Sequence, residues 1–333
     1  MRAIVITEPG GPEVLQIRDV PAPSPSRGEV RVRVRATAVN RADLLQRMGF
    51  YPAPADSPKD IPGLELAGEV DQVGEGVTEL AVGDRVLGVV GGGAYAEYVV
   101  AHARTLSKIP DGISFTDAAA LPEVFTTAYD AMVTQGGLAS GDTVLVSAVG
   151  SGVGTAAVQI ARALGARSIG TARTKDKLER ARALGMDDGF VLTNDLKTPE
   201  GQSMAEAVLA RTGGLGVDVV LELAGGGYIA ADLECTRTQG RVILVGLVAG
   251  TRVDFDLGLL LRKRLTVRGT ALRSRPLEEK IFATRTFARN VLPLVASGAL
   301  KAIVDKILPL ASAGEAHAYT ASNASFGKVV LEV

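Results

Sequence analysis

A glycine-rich turn is the first place in this sequence where residue types and spacing could do chemistry. Residues 146–166 read VSAVGSGVGTAAVQIARALGA, an apolar run followed by Gly150, Gly152 and Gly154 and then by a helix-like segment. In a strand–turn–helix unit, glycines let the backbone approach a pyrophosphate, and free amides at the start of the helix face the anion. The sequence therefore predicts a dinucleotide phosphate site here.

The glycine spacing departs from the G-x-G-x-x-G fingerprint, because Thr155 stands in the final place. The spacing A-x-x-S-x-x-G, from Ala148 through Ser151 to Gly154, fits better. The competing interpretation is a tight βα turn with no ligand.

The segment about 20 residues after the glycines indicates which dinucleotide binds, since NAD sites usually carry an acid there for the ribose 2′-hydroxyl. This chain has TARTKDK at 171–177, with Arg173, Thr174, Lys175 and Lys177. Cations and a hydroxyl suit a 2′-phosphate, so the sequence favours NADPH over NADH. The alternative is a solvated helix start with ordinary surface lysines, and Asp176 weakens the phosphate interpretation.

Composition excludes several classes of protein. Thirty-six Lys and Arg residues nearly balance 37 Asp and Glu residues, so a net charge of -1 supplies no field to attract nucleic acid. The single cysteine, Cys235, can form no internal disulfide and no zinc site built on several thiolates. No apolar run reaches the ~20 residues of a membrane span and the first residues do not read as a signal peptide, so we expect a cytoplasmic protein.

The pattern of apolar residues divides the chain into two parts and predicts an α/β fold. The first 120 residues carry period-two alternation, which predicts half-solvated strands at 31–39, 66–74, 85–90 and 94–100. From Leu121, apolar runs alternate with helix-like segments, which predicts a parallel sheet covered on both faces, with strands at 143–149, 168–172, 217–224, 241–248 and 265–269. Beyond Arg268 we expect helix and then a final strand at 327–333 that rejoins the first part.

Several stretches in this order resemble one family: NRADLLQRMGFYPAP (40–54), IPGLELAGEV (61–70), GDRVLG (83–88), AALPEVFTTAYDA (119–131) and SGVGTAAVQIARALGA (151–166). They resemble the zinc-free quinone oxidoreductases of the medium-chain dehydrogenase/reductase superfamily. Residues 258–275 and 316–333 are most similar to the p53-inducible quinone reductase branch. The resemblance covers essentially the whole chain.

This resemblance implies an architecture and an assembly. A β-rich, GroES-like catalytic domain would comprise residues 1–122 and 271–333, with a Rossmann domain, a doubly wound parallel sheet, inserted at 123–270. The family binds NADPH in the cleft between such domains. Its members are usually homodimers joined through the Rossmann sheet edges.

The resemblance also implies a site without metal. Zinc dehydrogenases of the superfamily hold their metal with Cys and His, but Cys235, His102 and His317 are the only such residues here, and none lies where those ligands belong. We expect Cys235 to be buried after a helix, and the histidines to lie in loops or helices. Without a Lewis acid the substrate must already be electrophilic, which favours a quinone and then a conjugated enone or enal.

Tyr51 and Asn40 match family positions near the reacting atoms. Tyr51 would donate a hydrogen bond to the substrate carbonyl, or else be a loop tyrosine packed on prolines. Asn40 would lie near the nicotinamide ribose, or else satisfy turn backbone groups. Thr127 would meet the nicotinamide, or else cap a helix.

The remaining site residues follow from the phosphate turn and the strand ends. Ser151 would reach cofactor or substrate, although its small size alone could explain it. Gly246 and Leu247 would pass beside the nicotinamide, since ligands bind outside the carboxyl ends of parallel strands. Phe326, Gly327 and Lys328 match a stretch that returns to the site in the family, although a buried strand start would look the same. The complete predicted cofactor set is Asn40, Thr127, Ser151, Gly152, Val153, Gly154, Arg173, Thr174, Lys177, Gly246, Leu247, Phe326, Gly327 and Lys328.

The sequence thus predicts an NADPH-dependent, metal-free quinone oxidoreductase. An enone or enal double-bond reductase is the nearest alternative. An NADPH-binding structural or RNA-binding relative is another, although the even charge argues against RNA. One departure concerns Thr193, which stands where many bacterial quinone reductases carry a tyrosine that helps to hold the 2′-phosphate, so phosphate selectivity would be looser.

Overall fold

The computed structural model describes residues 1–333, which form two compact units. Unit 1 comprises Met1–Thr126 and Leu272–Val333, and unit 2 comprises Thr127–Ala271. None of the helices is both long and apolar enough to cross a lipid bilayer.

The strands are numbered in chain order. They are β1 (Arg2–Ile6), β2 (Leu15–Asp19), β3 (Glu29–Ala38), β4 (Glu65–Val73), β5 (Arg85–Val89), β6 (Tyr98–His102), β7 (Leu106–Lys108), β8 (Thr143–Val146), β9 (Arg167–Ala172), β10 (Asp188–Val191), β11 (Val217–Glu222), β12 (Thr236–Leu244), β13 (Thr266–Gly269), β14 (Val304–Pro309) and β15 (Lys328–Glu332).

The α-helices are numbered in the same way. They are α1 (Arg41–Arg47), α2 (Phe115–Ala119), α3 (Pro122–Tyr129), α4 (Gly152–Leu164), α5 (Lys175–Ala183), α6 (Met204–Arg211), α7 (Tyr228–Cys235), α8 (Leu257–Lys263), α9 (Leu277–Asn290), α10 (Leu292–Ala296) and α11 (Ala313–Ala321). Helix α3 continues directly into a π-helical turn, Asp130–Gln135.

Unit 1 is built on a seven-stranded sheet in the order β14-β15-β3-β4-β5-β7, with β6 also paired to β3. Along β3 the valines at 30, 32 and 34 are buried and alternate with more exposed arginines, as period-two patterning requires. The antiparallel pairing of β15 with β3 places Val330 opposite Ala38. That register brings the start of β15 to the end of β3, where Asn40 lies.

Unit 2 is a six-stranded sheet in the order β10-β9-β8-β11-β12-β13, and every neighbouring pair is parallel. Counted from β8, this is the doubly wound order 3-2-1-4-5-6. The strand order reverses between β8 and β11, and ligands bind such sheets outside the carboxyl ends of the strands at that switch point.

Three expectations about the strands need correction. Strand β13 is exposed at all four residues because it is the sheet edge, so the parallel sheet is not covered on both faces there. The apolar run 143–149 leaves the sheet at Val146, because its second half forms the turn before α4. Residues 94–97 precede β6 instead of belonging to it, and His102 ends that strand instead of lying in a loop or helix.

Candidate functional site

The turn between β8 and α4 is shaped by one serine and one glycine. Ser151 is the N-cap of α4, and its Oγ accepts the N–H of Gly154 at 3.0 Å. A Cβ on Gly154 would lie 2.6 Å from the carbonyl oxygen of Ala148, so only glycine lets the helix pack on the turn. Ala148 itself takes a left-handed conformation with φ 51°. These are the residues of the A-x-x-S-x-x-G spacing.

The amide groups of Gly152 and Val153 at the start of α4 have no acceptor within the protein, because Ser151 caps only Gly154. A 13-residue helix points its positive dipole end at this turn. Lys177 of α5 adds its side chain to the same place, since a Cβ on Gly150 would lie 2.7 Å from its Cδ. The arrangement therefore fits an anionic group such as a pyrophosphate.

The predicted 2′-phosphate residues cluster at the start of α5. Thr174 is the N-cap of that helix, and its Oγ1 accepts the N–H of Lys177 at 3.4 Å. Arg173 is exposed. It faces Tyr228 of α7, a residue that sequence reasoning missed: burial raises the pKa of the Tyr228 phenol, the charge of Glu222 adds to that rise, and Arg173 opposes it. Thr174 thus has a structural role whether or not a phosphate binds.

The segment after β12 is tied to the segment after β11. A Cβ on Gly246 would lie 2.2 Å from the carbonyl oxygen of Leu223, so glycine is required there. Leu247 is 49% exposed. The Ala249 N–H donates to Ala224 O at 2.7 Å. Gly246 and Leu247 therefore lie in a loop that packs against the segment after β11 at the carboxyl end of the sheet.

Thr127 lies well inside α3, five residues after its first residue Pro122. The capping alternative for Thr127 is therefore wrong, because a cap precedes the first helical turn. Its side chain is half-buried.

In unit 1, Asn40 and Lys328 meet in a buried polar cluster with Glu65. Lys328 Nζ donates to Asn40 Oδ1 at 2.6 Å and to Val39 O at 2.9 Å, and it forms an ion pair with Glu65 Oε1 at 2.8 Å. Asn40 Nδ2 donates to the same Glu65 oxygen at 2.8 Å and to Ala38 O at 3.2 Å. Glu65 Oε2 accepts the N–H of Glu123 at 2.9 Å. All three ammonium protons of Lys328 are thus engaged, so this side chain holds Asn40 in place.

Asp43 connects Asn40 to a second buried group. Its carboxylate accepts the N–H groups of Asn40 (2.8 Å) and Gly63 (3.1 Å), and the hydroxyl of Tyr95 lies 3.4 Å away. Burial raises the pKa of Asp43 to about 6, although these bonds and Lys328 oppose the rise. Tyr95 also contacts His317 Nε2 at 3.1 Å, and burial together with Arg47 lowers the pKa of His317 to about 3.

Tyr51 lies after α1 and is half-buried beneath an arginine. The Arg273 guanidinium stands 5.2 Å from the centre of its ring, and Arg273 Nη1 donates to Tyr51 O at 3.4 Å. Arg273 is 6% exposed and also donates to Gln46 Oε1 at 2.6 Å and Gly91 O at 2.7 Å. The loop that carries Tyr51 is therefore fixed by a buried cation.

Phe326 and Gly327 immediately precede β15. Phe326 is 2% exposed. Gly327 has φ +90°, and a Cβ there would lie 2.2 Å from Ile303 O. Both residues therefore have structural reasons for their identity, as the buried-strand alternative proposed.

No three His, Cys, Asp or Glu side chains come together in an arrangement that could hold a metal ion. Cys235 is buried at the end of α7, as expected, and burial raises its pKa well above the usual value. His317 lies in α11, as expected.

Sequence reasoning missed two residues that support predicted ones, Glu65 and Arg273. Glu65 lies in IPGLELAGEV, and Arg273 lies in the stretch 258–275; both stretches resemble the family. Neither stretch indicates which residue the charged side chain contacts. Their partners lie 25 residues away, at Asn40, and 227 residues away, at Gln46. Only the folded sheet brings these groups together.

Comparison with known proteins identifies the family and the fold. A family model for zinc-binding dehydrogenases matches residues 152–289, and one for the alcohol dehydrogenase GroES-like domain matches residues 26–111. A quinone oxidoreductase from Lama guanicoe is 33% identical over 99% of this chain and 97% of its own length. These matches and the parallel sheet of unit 2 confirm the predicted fold class.

Solved structures extend the similarity to three dimensions. An Escherichia coli quinone oxidoreductase, solved in complex with NADPH, superposes with a TM-score of 0.88 at 30% identity, with 100% of both chains covered. An NAD-dependent alcohol dehydrogenase superposes with a TM-score of 0.86 at 35% identity, again over 100% of both chains. Since a relative above 30% identity is matched over nearly its full length, the chain belongs to the quinone oxidoreductase family of the medium-chain dehydrogenase/reductase superfamily and is an oxidoreductase of this class.

Proposed function

We propose that this enzyme is an NADPH-dependent, metal-free quinone reductase. The observation that carries the proposal is the meeting of Lys177 with the glycine turn whose amides at Gly152 and Val153 lack acceptors. The similarity to an NADPH-bound quinone oxidoreductase supports it. When bound, NADPH supplies the hydride that reduces the quinone.

In unit 2, backbone groups would do most of the binding. The amides of Gly152 and Val153 would bind the pyrophosphate, with Ser151 and Gly154 keeping the turn close. Arg173, Thr174 and Lys177 would contact the 2′-phosphate as cations and hydroxyl. Thr127, Gly246 and Leu247 would contact the nicotinamide end.

In unit 1, side chains would orient the reacting groups. Asn40, held by Glu65 and Lys328, would keep its Oδ1 available to the nicotinamide ribose, since both of its amide protons are already donated. Tyr51 would donate its phenolic proton in a hydrogen bond to the quinone carbonyl oxygen. Phe326 and Gly327 would place the segment that precedes Lys328.

The substrate class can be tested by product analysis with the purified enzyme. Stopped-flow oxidation of NADPH would be measured with ortho-quinones, para-quinones and linear enals. We expect rapid turnover with quinones and slow turnover with enals, because an enal requires a proton at carbon as well as reduction. Faster saturation of the enal double bond would favour the alternative double-bond reductase, and negligible turnover of both would favour a non-catalytic role.

The cofactor preference can be tested with a matched pair of lysines. Lys177 and Lys175 both lie in the first turn of α5, but only Lys177 contacts the glycine turn. Lys177→Ala should raise KM for both cofactors, which share the pyrophosphate, and should raise KM for NADPH at least tenfold further, since a charge-assisted contact to the 2′-phosphate is worth about 1.5–3 kcal/mol. Lys175→Ala should change neither. Equal effects on both cofactors would contradict the NADPH assignment and favour the NAD preference of the alcohol dehydrogenase relative.

The role of the Tyr51 hydroxyl has a control within unit 1. Tyr51→Phe keeps the ring under Arg273 and removes only the hydroxyl. We expect kcat with quinones to fall about fivefold, because one hydrogen bond of about 1 kcal/mol is lost at the reacting carbonyl. Tyr98 also lies under a guanidinium, that of Arg31 at 5.1 Å, so Tyr98→Phe is the matched control. Equal rates in both variants would remove Tyr51 from the mechanism.

We also propose a homodimer joined through β13. This edge strand pairs only with β12, and its Val267 is 42% exposed. An exposed strand edge offers unpaired backbone groups to a second copy. Val267→Pro should convert a dimer to a monomer in light scattering, since proline removes a strand donor. A monomeric wild-type protein would overturn this assembly.

A further inference from the structure

A pair of carboxyl groups lies buried where the strand order of unit 2 reverses. Glu222 is the last residue of β11, and Asp232 lies in α7. Both are 0% exposed, and their side chains lie close enough for the charge of Glu222 to raise the pKa of Asp232. No lysine or arginine forms an ion pair with either carboxyl group. Nothing in the proposed chemistry uses them.

The oxygen atoms of this pair cannot all be satisfied if both groups are ionised. Glu222 Oε1 accepts the N–H groups of Ala224 and Gly225, the latter at 2.7 Å. Glu222 Oε2 and both carboxyl oxygens of Asp232 have no N–H or hydroxyl hydrogen-bond donor among the other residues. Two carboxylates in contact inside a dry core repel one another and lose their hydration. A proton on one of them supplies the missing donor.

The backbone contacts indicate where that proton resides. Two N–H groups stabilise the charged form of Glu222, whereas no N–H group or hydroxyl donates a hydrogen bond to the Asp232 carboxyl. Burial raises the pKa of both groups, and the charge of Glu222 raises that of Asp232 further, well above its ordinary value. Asp232 is therefore the acid and Glu222 the carboxylate.

Other titratable groups around the pair leave this assignment unchanged. On α7, the phenol of Tyr228 and the thiol of Cys235 face the two carboxyls. Ser147, after β8, donates its hydroxyl to Leu221 O at 3.2 Å. The nearest cations act elsewhere: Arg173 faces Tyr228, and Lys263 of α8 donates to the carbonyls of Leu233, Glu234 and Thr236.

We propose that Glu222 and Asp232 share a single proton as a carboxylic acid–carboxylate pair, and that Glu222 thereby acts as a positioning residue for the cofactor-side loop of Gly246 and Leu247. The link is continuous in the backbone. Glu222 holds Ala224 and Gly225; Ala224 O accepts Ala249 N–H, and Gly226 N–H donates to Gly250 O at 3.0 Å. Loss of the proton creates a second buried charge beside these amides and loosens the loop. The effect on cofactor rests on the proposed function, whereas the shared proton does not.

The direct test is infrared spectroscopy of the wild-type protein, with two variants as comparison. A protonated carboxylic acid gives a carbonyl-stretch band that carboxylates lack. We expect this band at neutral pH, its loss at alkaline pH, and its absence from Asp232→Asn, whose amide donates the same bond without titrating. Asp218→Asn is the matched control: Asp218 is also buried on β11 but is paired with Arg237, so its substitution should leave the band unchanged. Absence of the band from the wild-type protein would overturn the proposal of a shared proton. So would a bound cation that a chelator removes from the pair, because a cation in place of the proton would neutralise the two carboxylates.

The positioning role is tested by the pH dependence of cofactor binding. Between about pH 6 and about pH 10, the dissociation constant of NADPH for the wild-type enzyme should rise up to about tenfold for each pH unit above the pKa of the pair, because the competent fraction falls by that factor. The constant for Asp232→Asn should follow no such rise, and kcat at saturating NADPH should be similar in both. Identical pH profiles for the two proteins would overturn the positioning role. Failure of wild type to bind NADPH at any pH would instead contradict the proposed function and leave the infrared result standing.

Discussion

The two units hold their candidate site residues by different means. In unit 2 the glycine turn is made by the backbone of one continuous segment, residues 147–154, with glycine where the chain must pass closely. In unit 1 Asn40 is held by side chains from two other strands, Glu65 of β4 and Lys328 of β15. A backbone site is specified by local spacing, whereas a side-chain site is specified by the register of a sheet.

This difference makes the two sites sensitive to different substitutions. Removing one charge from the unit 1 cluster leaves another charge buried without a partner, which is among the most expensive single changes in a protein. Adding one methyl group to the unit 2 turn pushes backbone segments apart, and we expect a smaller loss in the free energy of unfolding from that change.

The largest effect is expected for Lys328→Met. The substitution keeps the length of the side chain but leaves Glu65, which is 0% exposed, without its ion-pair partner. We expect a loss of about 3–5 kcal/mol in the free energy of unfolding, measured by urea denaturation. Lys306→Met is the control, because its pair with Glu315 is half-exposed and should be worth no more than about 1 kcal/mol. Similar losses in the two variants would show that the buried cluster does not stabilise unit 1.

The same contrast explains what could be predicted from sequence. The α/β class and most strands followed from the periods of apolar residues, because those periods reflect burial on one or both faces of a sheet. Strand β13 was predicted as a strand, but its exposure at the sheet edge was not. Residues 147–149 were wrongly predicted as strand, because they turn towards α4 although they are as apolar as a strand.

Among the candidate site residues, local patterns predicted the turn, and the resemblance predicted Asn40, Tyr51 and Lys328. Neither source revealed Glu65, Arg273 or the acid pair of Glu222 and Asp232. The sequence around a charged residue in an apolar segment does not predict its hydrogen-bond or ion-pair partner when that partner is distant in sequence. The helix cap formed by Thr174 and the buried ion pair formed by Lys328 were likewise not predicted, since both depend on where neighbouring groups lie in the folded chain.

The next largest effect is expected for Gly154→Ala. Its Cβ would stand 2.6 Å from Ala148 O and 2.7 Å from Val149 Cα, both backbone atoms that cannot turn aside. We expect a loss of about 1–3 kcal/mol in stability and clearly weaker NADPH binding, measured by urea denaturation and by titration of cofactor fluorescence. Gly227→Ala is the control, since its Cβ would meet only the tip of Leu196 at 3.4 Å. Normal binding by Gly154→Ala would show that the turn does not depend on this close approach.

A pH-dependent effect of intermediate size is expected for His317→Gln. The folded-state pKa of His317 is about 3, below its unfolded value of 6.5, so wild type loses stability as pH falls from about 6.5 towards 3. Asp43 has the opposite sign: its pKa is raised from 3.8 to about 6, so wild type loses stability as pH rises across that interval.

Between about pH 4 and about pH 6 the two groups therefore oppose each other, each by up to about 1.4 kcal/mol per pH unit. The difference in stability between wild type and His317→Gln should shrink as pH falls, and the difference between wild type and Asp43→Asn should shrink as pH rises. Urea denaturation at several pH values measures both differences. Parallel pH profiles for the wild type and both variants would show that neither group titrates as its burial predicts.

The smallest effect is expected for Thr174→Ala, which separates a cap from a cofactor contact. Thr174 caps α5 through Lys177 N–H, and Ser203 caps α6 through Glu206 N–H at 3.2 Å in the same unit. Loss of either cap should cost about 1 kcal/mol in the free energy of unfolding. If the Thr174 hydroxyl also contacts the 2′-phosphate, only Thr174→Ala will lower the ratio of NADPH to NADH binding affinity. An unchanged ratio in both variants would leave Thr174 as a helix cap alone, and the selectivity would then depend on Arg173 and Lys177.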